Sequence, residues 1–187
     1  MQINKALNLV VPLDGGGYVH STPIGREVFE TYFLPISKTF SGIFAEGLNV
    51  LAGPRVASLM LKKVAVDMGV WDGVAGVGNG LMAEIRRLTN VLLPTESGWQ
   101  TVPLDVALSR QMISQDDYAE AEGSIVFFIC ISAMHKRSLI EPTLAGMCSL
   151  WESQITSLNC TEFASSLPTS TETDSFGEMA QASAIPS

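Results

Sequence analysis

The chain of 187 residues is 47% apolar, which is enough for one sizeable folded domain and argues against wholesale disorder. Its formal net charge is −8, and residues 138–187 carry most of it because they hold six acids and no base. Such a chain repels phosphate backbones, so the composition argues against a nucleic-acid partner. The longest apolar stretch, residues 125–134, is far shorter than the ~20 residues of a membrane-spanning helix.

The cysteines and the N-terminus predict a protein of a reducing compartment. The three cysteines, Cys130, Cys148 and Cys160, are an odd number without the spacing of a disulfide framework. The N-terminus has no cationic segment followed by an apolar run and a small-residue cleavage site, so no export signal is expected. These features predict a soluble, cytosolic protein without a membrane partner.

The first 22 residues have the pattern of a β-hairpin. The apolar run 9–11 is followed by Asp14 and three glycines, which tolerate the positive φ of a tight turn, and then by a second strand at 18–20. Pro12 cannot donate to a ladder, which favours a strand end or an edge. Two strands alone are marginally stable, so the hairpin must pack on helices or on another subunit.

Apolar residues at helical spacing predict that the fold is mainly α, a compact bundle of about five to six helices. Prolines and glycines at the ends of the periodic segments mark several of the boundaries. A glycine-rich connector at 69–80 and a loop at 94–102 separate the middle helices. The predicted helices cover residues 22–47, with an interruption at Pro35, and 54–68, 81–92, 103–110, 114–137 and 142–151.

The helix predicted at 114–137 is the candidate centre of this bundle. Ser114 is a suitable N-cap, and Asp116 and Asp117 lie in the first turn, where the helix dipole favours negative charge. From residue 125 onward the helix is apolar on nearly every side, which is typical of a buried central helix. Phe128 and Ile129 are therefore expected to be almost fully buried.

Composition changes after residue 155, which divides the chain into a helical domain (1–155, with the hairpin in 1–22) and a polar, acidic tail (156–187). The tail holds 12 Ser or Thr residues, no Lys or Arg, and few large apolar side chains. Such a segment buries too little apolar surface to offset its ordering entropy. We expect one weak helical turn at 161–167 and a flexible segment from about Pro168.

The glycines between Gly73 and Gly80 could suggest a phosphate-binding loop. Their spacing matches neither the dinucleotide nor the P-loop fingerprint, no Lys-Ser or Lys-Thr pair follows, and no strand is predicted before them. A connector between two helices is the simpler interpretation, and no nucleotide or other cofactor is expected.

The remaining chemical candidates are two histidines, one cysteine and a group of acids. His135 follows Cys130 by five residues, off one helical face, so the two do not form a metal pair, and the apolar surroundings of Cys130 raise a thiol pKa. His20 is expected at the surface of its strand. The acids are explained by the start of a helix; they are Asp116, Asp117, Glu120 and Glu122. The sequence therefore predicts no catalytic, cofactor-binding or metal site, and a protein that is not an enzyme.

Four segments, taken together and in this order, resemble the tail assembly chaperones of long-tailed bacteriophages. The resemblance runs through nearly the whole chain, although the family has no short diagnostic motif and offers no site residues to transfer. The segments are YVHSTPI (18–24) continuing into REVF (26–29), GPRVA (53–57), EIRRLTNV (84–91), and TSLNCTEF (156–163) followed by SLPTST (166–171).

The resemblance implies an acidic, non-enzymatic protein of the infected host's cytoplasm. Its partner would be the long tape-measure protein, kept soluble during tail-tube assembly, with the tail-tube protein as a possible second partner. Apolar grooves between helices and an acidic, repulsive exterior suit such a client. The alternative is a structural virion protein, a head–tail connector or a minor tail component, whose N-terminal hairpin would extend a neighbour's sheet. A small enzyme with an unrecognised site is a third hypothesis.

Overall fold

The computed structural model of the chain describes residues 7–168 and shows an α+β fold, so the prediction of a mainly α bundle is wrong. An antiparallel five-stranded sheet, in the order β4-β3-β2-β1-β5, packs against a layer of helices. The strands are β1 Asn8–Pro12, β2 Tyr18–Ser21, β3 Thr89–Thr95, β4 Gly98–Pro103 and β5 Gln154–Thr156. The helices are α1 Arg26–Thr31, α2 Phe33–Ala45, α3 Asn49–Asp67, α4 Met82–Arg87, α5 Leu104–Ser109, α6 Gln115–Met134, α7 Arg137–Leu150 and α8 Cys160–Ser166, with a π-helix at Val77–Leu81.

The predicted N-terminal hairpin is present, and it forms the middle of the sheet. β1 and β2 pair antiparallel around a turn in which the Leu13 N–H donates to the Gly17 carbonyl at 3.1 Å. Gly17 has a φ of +99°, and a Cβ there would collide with the Leu92 carbonyl oxygen of β3. β3 flanks β2 along its whole length, and β5 flanks β1 from Asn8 to Val10, so both hairpin strands are internal to the sheet.

β3 and β4 replace the second half of a predicted helix (81–92) and a predicted loop (94–102). The helix ends early, at Arg87, and residues from Thr89 onward pair with β2 in the register Val19 to Val91. Pro94 pairs with Trp99 in the β3–β4 ladder instead of stopping a helix. The apolar spacing of 81–92 fits a helix locally, but residues from Thr89 onward pair with β2, about seventy positions earlier, on one side and with β4 on the other.

Residues of the predicted tail also belong to the fold. β5 crosses the predicted boundary at 155/156, and α8 covers the sheet face opposite the main helical layer, with the Phe163 side chain 5% exposed. Asn159 and Glu162 form a capping box at the start of α8, each side chain accepting from the other's backbone N–H at 2.9 Å. The rest of the predicted tail, 169–187, lies outside the described residues.

Two prolines that were predicted to begin helices lie inside those helices. α3 begins at Asn49, not at Pro54, and α7 begins at Arg137, not at Pro142. Pro54 lacks the N–H that would bond the Val50 carbonyl, and the indole N–H of Trp151 donates to that carbonyl at 2.9 Å. A side chain about a hundred residues away therefore supplies the hydrogen bond that the proline omits.

The burial and the N-terminal cap of the central helix were predicted correctly, but α6 ends at Met134 and not at 137, where α7 begins. α6 contacts α2, α3, α7 and β1, and Phe128 and Ile129 are 0% and 2% exposed, so their predicted burial is confirmed. Ser114 caps it as expected, accepting from the Asp117 N–H at 2.9 Å. Close packing of α6 on α3 requires glycine at position 123, because a Cβ there would collide with the Pro54 carbonyl oxygen.

The sheet has two unlike faces. Its inner face packs on α6 and contributes to the main core; its buried apolar residues are Leu9, Val11, Val19, Val91 and Val102. The outer face carries α8 over a separate, small cluster of Val10, Leu92 and Phe163, with Tyr18, Trp99 and Leu158 packed around it.

Candidate protein-binding groove

The predicted chemical candidates do not converge. Cys130 is fully buried in the core of α6, and desolvation raises the pKa of its thiol to about 12, far above what a nucleophile needs. His135 is the C-cap of α6, with its ring centroid 5.3 Å from that of Phe40. His20 is 1% exposed on the outer face of the sheet, so the expectation of a surface histidine is wrong.

The acids of the first turns of α6 have separate structural roles. Asp117 and Glu120 line a cleft of about 310 Å³ that also holds Arg55 and Glu152. Glu122 accepts a hydrogen bond from the Tyr118 hydroxyl at 3.1 Å. Within residues 7–168, no group of three or more His, Cys, Asp or Glu side chains could hold a metal ion.

The glycine-rich connector encloses two aromatic rings. The Tyr32 hydroxyl donates to the Ala75 carbonyl at 3.2 Å, and a Cβ on Gly80 would occupy the position of that hydroxyl. A Cβ on Gly78 would come within 3.1 Å of the Trp71 ring. The connector also contains the π-helix Val77–Leu81, which the predicted plain connector did not anticipate. These glycines therefore allow the chain to close tightly around aromatic side chains.

Beside this connector lies a shallow apolar groove of about 340 Å³, which we call the α2 groove. It is built where α1 gives way to α2 and where α3 runs into the connector. Most of its lining is apolar; the residues are Glu30, Thr31, Tyr32, Phe33, Leu34, Pro35, Met68, Val70, Ala75 and Val77.

Large apolar side chains in and next to the α2 groove are exposed to solvent. Phe33 is 45% exposed, Leu34 56% and Val70 37%, and Val66 and Val74, which flank the lining residues in the chain, are 51% and 96% exposed. A cluster of exposed apolar side chains marks a contact surface more often than a single exposed leucine does.

Two ion pairs lie beside the α2 groove. Arg26 contacts Glu30 at 2.6 Å, and Lys63 contacts Asp67 at 2.6 Å. Both pairs are exposed i, i+4 contacts on the surface of their own helices. The groove therefore offers a partner apolar side chains with charges of both signs beside them.

The sequence does not predict this groove, because helical spacing places Phe33 in the apolar stripe of the helix predicted at 22–47, and such a stripe is expected to face the core. The signal was present in part, since consecutive Phe33 and Leu34, beside Phe29 and Ile36, exceed the arc that one helix can bury. The structure buries Ile36 and leaves Phe33 and Leu34 at the surface.

The comparisons with known proteins add no family and no fold relative. No family model matches the chain, and neither a curated protein nor a solved structure matches it significantly. Among the described residues, no helix is both long enough and apolar enough to cross a membrane.

Proposed function

We propose that this protein is a non-enzymatic assembly chaperone that holds an apolar, helical segment of another protein in the α2 groove. The observation that carries the proposal is the set of exposed apolar side chains there, led by Phe33, Leu34 and Val70. An amphipathic helix presents side chains at i, i+3 and i+4, and such a row fits a short apolar groove between helices.

The groove suits transient holding of a client. It is shallow and small, about 340 Å³, so it can take only a few apolar side chains of a partner. Each buried aliphatic or aromatic side chain contributes roughly 1.5–3 kcal/mol before the cost of association is subtracted. A contact of that size is reversible, and reversibility is what a chaperone requires when its client enters the finished assembly.

The specific client that we propose is the tape-measure protein of a long-tailed bacteriophage, bound in the cytoplasm of the infected host. Support for this choice is the resemblance of residues 18–29, 53–57, 84–91 and 156–171 to tail assembly chaperones. A very long, mainly helical client with exposed apolar stripes has the chemistry that the α2 groove accepts.

The structural alternative depends on a free sheet edge at the N-terminal hairpin. A head–tail connector or minor tail component was expected to extend a neighbour's sheet through the N-terminal hairpin. Both hairpin strands are internal, with β3 along β2 and β5 along residues 8–10 of β1, so the hairpin leaves too little free edge for a neighbour's strand. A structural role would need another surface.

Co-expression with the tape-measure protein tests the proposal. We expect the chain to raise the soluble yield of that protein and to co-purify with it, and Leu34→Asp to abolish both effects by placing a charge in the groove. Leu139→Asp is the matched control, because Leu139 is similarly exposed (51% against 56%) but lies on α7, outside the groove. High salt should leave the complex intact, since the contact is apolar.

Two results would contradict the proposal. Equal co-purification of the wild type and of Leu34→Asp would exclude the α2 groove as the client site. A stoichiometric amount of this protein in purified mature particles would replace the chaperone by the structural alternative, because a chaperone leaves before the virion is complete.

A further inference from the structure

The segment 157–168, which we call the strap, lies across the outer face of the sheet. It contains α8, and its apolar contacts are the Phe163 ring and the partly buried Leu158, Ala164 and Leu167. Phe163 lies edge-on to Tyr18, with ring centroids 5.9 Å apart, and its centroid is 6.1 Å from that of His20. The indole N–H of Trp99 donates to the Pro168 carbonyl at 2.9 Å.

We propose that the strap opens and closes over the outer face as one local unit, and that acidification favours the open state through His20. The strap thus controls access to an apolar sheet face that carries Val10, Tyr18, Leu92 and Trp99. This device is separate from the α2 groove and does not depend on the client proposed for it.

The closed strap is held by hydrogen bonds to two of its carbonyl groups, those of Leu158 and Pro168, and by the Phe163 ring. The Leu158 carbonyl accepts from the Asn8 amide at 2.9 Å and lies 3.1 Å from His20 Nε2. Since a carbonyl oxygen only accepts, Nε2 carries the proton of the neutral imidazole. The donors come from β1 and β2, and the acceptor lies about 140 to 150 positions later in the chain, so this contact exists only while the strap is closed.

The closed state leaves buried polar atoms without partners. Asn8 Oδ1 and His20 Nδ1 are two of the four buried side-chain polar atoms without a hydrogen-bond partner within residues 7–168. A buried polar atom without a partner costs free energy, and opening the strap returns both atoms to water. The strap contact is therefore weaker than its buried area indicates, which favours local opening.

His20 makes the equilibrium between the closed and the open strap depend on pH. Burial lowers the pKa of His20 below its usual 6.5, outweighing the Leu158 hydrogen bond, which raises it. In the open state the imidazole is solvated and regains an ordinary pKa, so the open state binds a proton at a higher pH than the closed state does. The neutral imidazole favours the closed strap fully above about pH 6.5. As the pH falls below this value, the ratio of closed to open strap decreases by up to about tenfold per pH unit.

Other titratable side chains around His20 do not supply this response. β1, β3, β4 and β5 contain none; Tyr18 is on the same strand as His20, and Cys160 and Glu162 are on the strap. Glu162 is engaged in the capping box of α8, and burial raises the pKa of Cys160. Histidine is the side chain that ordinarily changes its charge between roughly pH 5 and 8.

Amide hydrogen exchange on the full chain tests the strap. After correction for intrinsic exchange rates, we expect the amides of α8 to exchange at least tenfold faster than those of residues 125–131 in α6. Protection of α8 should fall by up to about tenfold between pH 7.5 and pH 5.5, and protection of α6 should not change in parallel. His20→Gln keeps an amide donor for Leu158 but does not titrate, so it should remove the pH dependence and retain the strap.

His135→Gln is the matched control, since it removes the other histidine at the C-cap of α6. This variant should keep the pH dependence of α8 exchange. Equal protection of α8 and α6 at every pH would overturn the proposal, because the strap would then open only with global unfolding. A pH dependence that survives in His20→Gln would overturn the role of His20.

Discussion

The inner and outer faces of the same sheet are held in different ways. On the inner face, Val19 and Val91 pack into a continuous core around α6, whose residues 125–131 are almost completely buried. On the outer face, the seven-residue helix α8 inserts Phe163 against two buried apolar side chains of the sheet, Val10 and Leu92, and two polar atoms beneath the strap have no partner. Both faces exclude water, but only the inner one does so with many mutually supporting contacts.

This difference shows that burial and stability are separate properties. Phe163 and Phe128 are both buried, at 5% and 0% exposure. Phe128 is inside a helix that four other elements contact, so losing it affects the whole domain. Phe163 anchors a short segment near the end of the described chain, so losing it affects that segment first. A buried phenylalanine therefore stabilises the whole domain on the inner face and only a local segment on the outer face.

The largest expected effect is on the inner face. Phe128→Ala should lower the free energy of unfolding by about 3–5 kcal/mol, because it leaves a cavity among residues that cannot collapse into it. Urea denaturation measures the loss, and Leu139→Ala, at a side chain that is 51% exposed, should change it little. A urea denaturation curve of Phe128→Ala that matches the wild-type curve would show that α6 does not hold the domain together.

An intermediate effect is expected where α6 approaches α3. Helix propensity alone predicts that Gly123→Ala stabilises the protein by roughly 1 kcal/mol. The collision of the new Cβ with the Pro54 carbonyl oxygen should reverse that sign and destabilise by about 1–3 kcal/mol.

The control for this prediction is Gly42→Ala in α2. Its Cβ would meet only the flexible Met60 side chain, with Sδ at 2.9 Å, so the propensity gain should survive there. The melting temperatures of the two variants, each compared with that of the wild type, test this difference in sign. Stabilisation by both substitutions would mean that α3 and α6 are not in the close contact described.

The smallest expected effect is on the outer face and depends on pH. Because the folded pKa of His20 is lowered, its neutral form stabilises the fold fully above about pH 6.5, and this contribution is lost as the pH falls. Between pH 7.5 and 5.5 the wild type should lose up to about 1.4 kcal/mol more than His20→Gln. Urea denaturation at both pH values measures the difference. Parallel losses in the two proteins would indicate that His20 is solvated in the folded state.

Much of the local structure was predictable. The turn at Gly17, the Ser114 cap and the buried α6 follow from φ > 0, side-chain capping and all-round apolar composition, which are properties of a few adjacent residues. The raised pKa of Cys130 followed from its apolar neighbours in the same way. The starts of α3 and α7 were misplaced because Pro54 and Pro142 also fit a first helical turn, and only Trp151, distant in sequence, shows how Pro54 is accommodated.

The hairpin and the central helix could be predicted from the sequence alone, since each depends on residues that are neighbours in the chain. The tertiary structure places this hairpin at the centre of a five-stranded sheet, a position that the local pattern does not give, because β3 and β5 pair with β2 and β1, which lie far away in sequence. The tertiary structure also exposes Phe33 in the α2 groove and buries His20 beneath the strap. Exposure depends on which elements cover a side chain, and the cover for His20 comes from a segment 138 residues later. Short-range periodicity carries no information about such a contact.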